Sequence, residues 1–309
     1  MSGKSKHLEE IIQQHNHACT LQVVFVDIES YSKRRTLNQV SVIEAFTRAL
    51  QTALQEVGKK FLEYAQSNDL NFKSDIITIP TGDGAAVVFS FDGLADVHLY
   101  FARELLKASY ESRVGAACEV FAAEGWCNCH SHFNLRIGIS EGKGIIYRDV
   151  NDNYNVAGNP INMASRVMAL ADRNQILFTE EAYKQIIDMA TDAGFLNQFV
   201  GFHNVPIKHG QKISVYQYTA PKDPCINNAA PDKLVVSKRF DENMRRMESM
   251  GFNFPGTPEE PNLRSMLDVL EMMTQGMEKV MGRPLKEGKE GPSLKPALVI
   301  ESSLPPKKE

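Results

Sequence analysis

Residues 21–26, Leu-Gln-Val-Val-Phe-Val, form a mostly apolar run that ends on Asp27, the pattern of a buried strand closed by a carboxylate. Ile43, Phe46, Leu50, Leu54, Val57 and Phe61 then recur three or four apart and predict a helix from about Asn38 to Tyr64. The stretch "DIITIPTGDGAAVVF", 75–89, reads as two apolar strands meeting at Thr81-Gly82-Asp83-Gly84, where Asp and Gly tolerate the positive φ of a tight turn. A second helix, Leu94 to Ser112, carries Leu94, Val97, Phe101 and Leu105 on one face. Strands are predicted at "FNLRIGIS" and at "KGIIYRD", then a helix from Pro160 to Ala171, a strand "QILF", a helix from Thr179, and a closing pair around Phe202 and "ISVYQY". The order strand, helix, strand, strand, helix, strand predicts an α+β fold: a ferredoxin-like antiparallel sheet with helices on one face.

The pattern divides the chain into a helical segment over 1–20, a core domain over 21–220, a linker with C-terminal helices over 221–281, and a disordered tail over 282–309. "APKDPCINNAAPDK" is the Pro- and Asn-rich linker, and helical patterns follow at 232–250 and 262–281. A chain of 309 residues with 43% hydrophobic content supports a substantial core. The net charge of −4 gives no general attraction for nucleic acid or an anionic membrane, so any phosphate recognition must be local. No apolar run approaches the roughly 20 residues of a membrane helix, and no signal-peptide core precedes the first strand. Five cysteines, an odd number, argue against a disulfide framework and for a reducing, cytoplasmic setting.

Candidate chemistry begins with the two strand-end carboxylates. In such a sheet the end of the first strand and the tip of the neighbouring hairpin lie side by side, which would bring Asp27 and Asp83 together. Two carboxylates that close repel unless a cation sits between them. Oxygen-only ligation favours Mg²⁺ or Mn²⁺, and the carbonyl of Ile28 can add a ligand. The polar turn "ESYSKR", with Tyr31 and Ser32, leads toward a helix and offers backbone amides to polyphosphate. Farther on, Asn162 and Arg166 stand four apart on one helix face, with Ile161, Ala164 and Met168 opposite. An amide and a guanidinium projecting together can orient a ribose and neutralise charge developing on phosphorus.

Four blocks in order, "VVFVDIESYS", "TGDGAAVVF", "LRIGISEGKGI" and "YNVAGNPINMASR", followed by "ILFTEEAY", resemble a class III nucleotidyl cyclase catalytic domain over about residues 20–220. The resemblance implies a head-to-tail homodimer with two composite sites. Asp27 and Asp83 of one subunit would hold two divalent ions, and Asn162 and Arg166 would come from the other. The implied reaction is attack of the ribose 3′-hydroxyl on the α-phosphorus of a nucleoside triphosphate, giving a 3′,5′-cyclic monophosphate and pyrophosphate. Lys208 is the nearest match to a lysine that often grips the phosphates in this family, although His209 interrupts the usual Lys-Gly step.

Adenylate cyclases of the family read the base with a Lys three residues before the hairpin's first Gly and an Asp three before the glycine of the "YNVAG" block, and guanylate cyclases commonly use Glu and Cys. Counting the same way gives Ile79 and Asn155, so neither purine code is present. An apolar Ile79 cannot pair a purine edge, and Asn155 offers both a donor and an acceptor, as cytosine or uracil requires. The departure is similar to the pyrimidine cyclases of bacterial anti-phage (Pycsar-type) signalling, which make cyclic UMP or cyclic CMP for a nearby effector; UTP is favoured over CTP on resemblance. The alternatives are a purine cyclase with an unusual base pocket, or a catalytically idle nucleotide-binding signalling module.

Two other features compete for attention. "CNCHSH", with Cys127, Cys129, His130 and His132, and Cys118 upstream, lacks the paired Cys-x-x-Cys spacing of common zinc sites and reads as a hairpin with incidental thiols and imidazoles, a metal role being left open. Lys33-Arg34-Arg35 reads as a solvated turn, in which the place of Lys33 and Arg34 after Asp27 makes either a candidate phosphate contact.

Overall fold

Strand β1 (Cys19–Ile28) lies at the centre of the molecule and shows how the fold is built: Val24, Val26 and Ile28 enter one core, while Leu21 and Val23, on the alternate positions, enter another. The computed structural model describes residues 5–14, 18–113, 118–129, 132–189 and 193–235. The chain divides into two units, Met1–Phe252 and Asn253–Glu309. The second unit, and with it most of the helical pattern at 232–250, all of that at 262–281 and the tail from 282, falls outside the described residues.

Helix α1 (Lys6–Gln13), capped by the Ser5 hydroxyl, precedes β1. After it come a 3₁₀ turn (Tyr31–Lys33), α2 (Thr36–Lys60), the short helices α3 (Leu62–Ser67) and α4 (Phe72–Asp75), and the hairpin β2 (Ile77–Pro80) and β3 (Gly84–Phe89). Next are α5 (Val97–Glu111), α6 (Glu119–Glu124), β4 (Leu135–Arg148), β5 (Tyr154–Gly158), α7 (Asn159–Met168), β6 (Gln175–Thr179), α8 (Glu180–Met189), α9 (Ala193–Leu196), β7 (Phe199–Pro206), a second 3₁₀ turn (Lys208–Gly210) and β8 (Lys212–Tyr218). The α+β class stands, with two differences from expectation. The sheet, ordered β2-β3-β1-β4-β6-β8-β7 with β5 on β4, is mixed, because β4 and β6 run parallel while the other pairs are antiparallel. Helix α7 supplies the crossover that a parallel pair needs.

Helices also cover both faces rather than one. Val42, Phe46 and Val57 of α2, Val97, Phe101 and Leu105 of α5, and Ala182 and Ile186 of α8 close over the β1 side that holds Val24. Leu8 of α1 and Ala164 of α7 cover the opposite side, and Val167 continues that layer onto Leu177 and Val215. Helix α7 lies so close to the sheet that a Cβ at Gly138 would fall 2.2 Å from the Ala164 carbonyl oxygen. Only glycine fits there. The two strands expected at 133–140 and 143–149 are one, since the glycines between them stay extended in the ladder with β1. The Pro- and Asn-rich stretch after Ala220 packs Cys225 and Ile226 into the core, and Gln175 and Gln217 both donate to the Ala229 carbonyl. Among the described residues, no helix is long and apolar enough to cross a membrane.

Candidate active site

Asp27 and Asp83 meet, and the backbone makes them do so. Asp27 stands opposite Gly84 in the β1–β3 ladder, and the Ile28 N–H donates to the Asp83 carbonyl at 2.9 Å. A side chain at Gly84 would place its Cβ 2.0 Å from the Val26 carbonyl oxygen, so the hairpin can close on β1 only with glycine in that position. Ile28 turns its own side chain into the core under α2, leaving its backbone as its one contribution to the site.

The third member of the site is Arg136. It faces Asp27 across the β1–β4 ladder and donates to Asp27 Oδ2 through Nε at 3.0 Å and through a terminal nitrogen at 2.5 Å. Burial pushes the Asp27 carboxyl above its ordinary range; Arg136 opposes that shift, and the neighbouring Asp83 carboxylate adds to it. Two carboxylates in contact, one of them 7% exposed, form a hard, all-oxygen donor set that fits Mg²⁺ or Mn²⁺, and a divalent cation would supply the positive charge that Arg136 now supplies alone. Arg136 stands within "LRIGIS", where the sequence pattern assigns it no role. A cation alternating with Leu135, Ile137 and Ile139 in a buried strand was the available signal.

The turn after β1 corrects one expectation and narrows another. Arg34 is not placed to contact phosphate: it is 3% exposed and donates to the backbone carbonyls of Cys127 and His132. Lys33 lies 5.9 Å from the centroid of the Trp126 ring. The Lys33 and Arg34 amides close the turn on the Ser30 and Tyr31 carbonyls, and the Tyr31 side chain packs on the core under α2. What Tyr31 and Ser32 can offer is therefore the start of the turn's backbone rather than the Tyr31 ring.

Asn162 and Arg166 share one outer face of α7, whose inner face buries Pro160, Met163, Ala164, Val167 and Met168. They do not join Asp27 within the chain. Pro160, at the start of the helix, packs near Gly142, whereas Ala164 and Met168 lie against Gly138, two residues along β4 from Arg136. Arg166 leans back toward the start of the helix, its guanidinium 3.8 Å from Met163 Sδ. Lys208 is exposed at the tip of the β7–β8 hairpin, four strand places from β1 and about 20 Å away.

Of the base-reading candidates, Ile79 is half-buried on β2 against the cluster that holds Leu8 and Val88. Asn155 lies on β5 opposite Tyr147, with its Oδ1 accepting the Val156 N–H at 2.7 Å. That bond leaves the Asn155 amide nitrogen as the group free to donate.

Comparison with known proteins bears on this geometry. The sequence profile of the adenylate and guanylate cyclase catalytic domain matches residues 13–218. Among solved structures, the chain is similar to the guanylate cyclase domain of RhGC from Catenaria anguillulae in complex with GTP, at 18% identity over 66% of this chain and 98% of that one, with a TM-score of 0.43. It is also similar to the adenylyl cyclase CyaB from P. aeruginosa, at 20% identity over 68% and 98% of the two chains, with a TM-score of 0.43. No curated protein sequence matches significantly. The profile spans two thirds of the chain and includes every element that builds the Asp27–Asp83–Arg136 site, and by that match the chain belongs to the adenylate and guanylate cyclase catalytic domain family, the class III nucleotide cyclases.

Proposed function

We propose that the protein is a pyrimidine nucleotide cyclase. It converts UTP, in preference to CTP, to the 3′,5′-cyclic monophosphate. The ribose 3′-oxygen bonds to the α-phosphorus, the bond from that phosphorus to the bridging oxygen breaks, and pyrophosphate leaves with the electron pair. Asp27, Asp83 and the Ile28 carbonyl would hold two divalent ions. When bound there, such ions lower the pKa of the 3′-hydroxyl and neutralise the triphosphate.

The chain's own residues do the positioning on which phosphoryl transfer depends. Arg136, beside Asp27, would direct its guanidinium toward the phosphates, with the amides at Tyr31 and Ser32 close to them. Asn162 orients the ribose, Arg166 stabilises the charge that builds on phosphorus, and Lys208 grips the outer phosphates. Ile79 walls the base pocket and Asn155 pairs the pyrimidine edge. The base assignment rests on the chemistry of these two side chains. The similar solved structures are described as guanylate and adenylyl cyclases, which makes a purine substrate the competing reading. A downstream effector responding to the cyclic pyrimidine nucleotide, in anti-phage defence, follows from the resemblance to Pycsar-type cyclases.

One observation supports a composite site most directly: Asn162 and Arg166 lie on the outer face of α7, and the Arg166 guanidinium reaches back to Met163 while Arg136 is the cation that holds Asp27. A head-to-tail pair of chains would bring the two halves together. Mixing Asp83→Asn protein with Arg166→Ala protein, each inactive alone, should restore part of the activity, since some mixed dimers then contain one undamaged site. Demonstrated heterodimers without activity would remove the shared-site reading.

A further inference from the structure

Three thiols meet away from the carboxylates. Cys118 precedes α6, Cys127 and Cys129 follow it, and the three sulfur atoms lie within 4.8 Å of one another, with 3.6 Å between those of Cys118 and Cys129. Four thiolates around a zinc ion at about 2.3 Å stand about 3.8 Å apart, so small side-chain rotations bring these three into a coordination shell. Two of the sulfurs already accept backbone N–H groups at 3.4 Å, Cys118 from Phe121 and Cys127 from Cys129.

A second observation points the same way. Arg34 is 3% exposed, no carboxylate pairs with it among the described residues, and its Nε is buried without a hydrogen-bond partner. A buried guanidinium calls for a nearby anion. Three thiolates around a divalent ion carry a net charge of −1, and Arg34 is held beside them by its bond to the Cys127 carbonyl.

We propose that Cys118, Cys127 and Cys129 form a structural site for one thiophilic cation, with Zn²⁺ the expected occupant, and that Arg34 offsets its charge. Among the described residues these three supply the ligands, and His130, another candidate named from the sequence, lies outside the described residues. A Cys118–Cys129 disulfide would use two of the sulfurs but leave Cys127 and the Arg34 charge unaccounted for. The site is tied to the active-site turn. The Asn128 side chain accepts the Arg35 N–H at 3.2 Å, and its carbonyl accepts from the Asn38 amide at 2.5 Å. A cation held here therefore braces the segment that runs from Asp27 to α2.

The test uses the full chain, stripped of metal and reduced, with Co²⁺ as the spectroscopic probe. One equivalent should give thiolate-to-cobalt charge-transfer absorption and intense tetrahedral bands, both abolished by added Zn²⁺. These bands should persist in the double variant Asp27→Asn, Asp83→Asn, disappear in Cys118→Ser and Cys129→Ser proteins whose circular dichroism is native, and require about 10- to 100-fold more Co²⁺ in Arg34→Gln. Absence of charge-transfer absorption in the reduced wild-type chain would overturn the proposal, and that result needs no variant to fold. Bands that survive both serine substitutions would overturn it as well.

Discussion

The two faces of the sheet each hold a buried carboxyl group, and the protein treats the two in opposite ways. Asp27 faces α7, touches a second carboxylate, and keeps a guanidinium in register on the next strand. Glu141 lies under α5 opposite Gln22; burial pushes it up to about 7, only Gln22 opposes the shift, and its Oε2 has no partner among the described residues. His98, against Phe178 in the same core, is fully buried with no hydrogen-bond partner for either ring nitrogen among the described residues, and burial pushes it down to about 3. Burial disfavours the charged form of all three groups, and of the two carboxyls only Asp27 has a guanidinium against it. Burial alone would mark both carboxyls as functional; the companion carboxylate, the in-register arginine and the partly open hairpin tip distinguish Asp27.

The strongest way to sharpen this contrast is to remove a charge from the Asp27 face. Asp27→Asn or Asp83→Asn should lower turnover by on the order of 10³-fold, with the denaturation midpoint little changed, because the amide keeps the volume and loses the charge that cations require. Full turnover in either variant would end the two-metal reading. Next in size is the dry face. The folded chain holds the Glu141 proton to about pH 7, whereas the unfolded chain releases it near the ordinary 4.5. Folding therefore takes up a proton between those values, and stability falls as pH rises through that window, by up to about 3 kcal/mol. Glu141→Gln should remove that slope and raise stability at pH 8 while changing it little at pH 4, as urea denaturation at both pH values would show. An unchanged slope would mean that Glu141 is ionised in the fold.

The smallest effect separates Arg136 from a merely structural cation. Arg136 holds the Asp27 pKa down against burial, so Arg136→Met should move the acid limb of the pH–rate profile upward, in addition to any loss of phosphate binding. A uniform loss of rate with no shift in the limb would confine Arg136 to phosphate contact.

Asp27 and Asp83 were legible in the sequence because each closes a buried strand at a turn, a local pattern that needs no register. Arg136 was not, since its role depends on which β4 residue falls opposite Asp27, and alternation along one strand does not fix pairing across two. The helix expected to run to Tyr64 breaks at Phe61, although the apolar stripe continues through it, because the stripe records burial and α3 buries Ala65 as well as α2 buries Val57. The parallel β4–β6 pair was hidden for a related reason: a short apolar strand such as "QILF" looks the same in either direction. The cysteines were visible in the sequence with a metal role left open, because only the turn of chain that α6 makes brings Cys118 to Cys127 and Cys129. The charge run at Lys33–Arg35 looked solvated because nothing local shows that Arg34 folds under the Cys127 loop.

The account's central claim is that this family member cyclises a pyrimidine nucleotide at the Asp27–Asp83 site, and one assay tests it most directly. The purified chain is incubated with Mn²⁺ and ATP, GTP, CTP or UTP in separate reactions, and the products are identified by mass. The account predicts pyrophosphate and a 3′,5′-cyclic pyrimidine monophosphate, with UTP converted fastest and the purines at least about fivefold slower, because a pocket sized for one ring admits two only at an overpacking cost of about 1 to 3 kcal/mol. Faster conversion of ATP or GTP would show that Ile79 and Asn155 do not select the base, and no cyclic product from any of the four would contradict the cyclase reading itself.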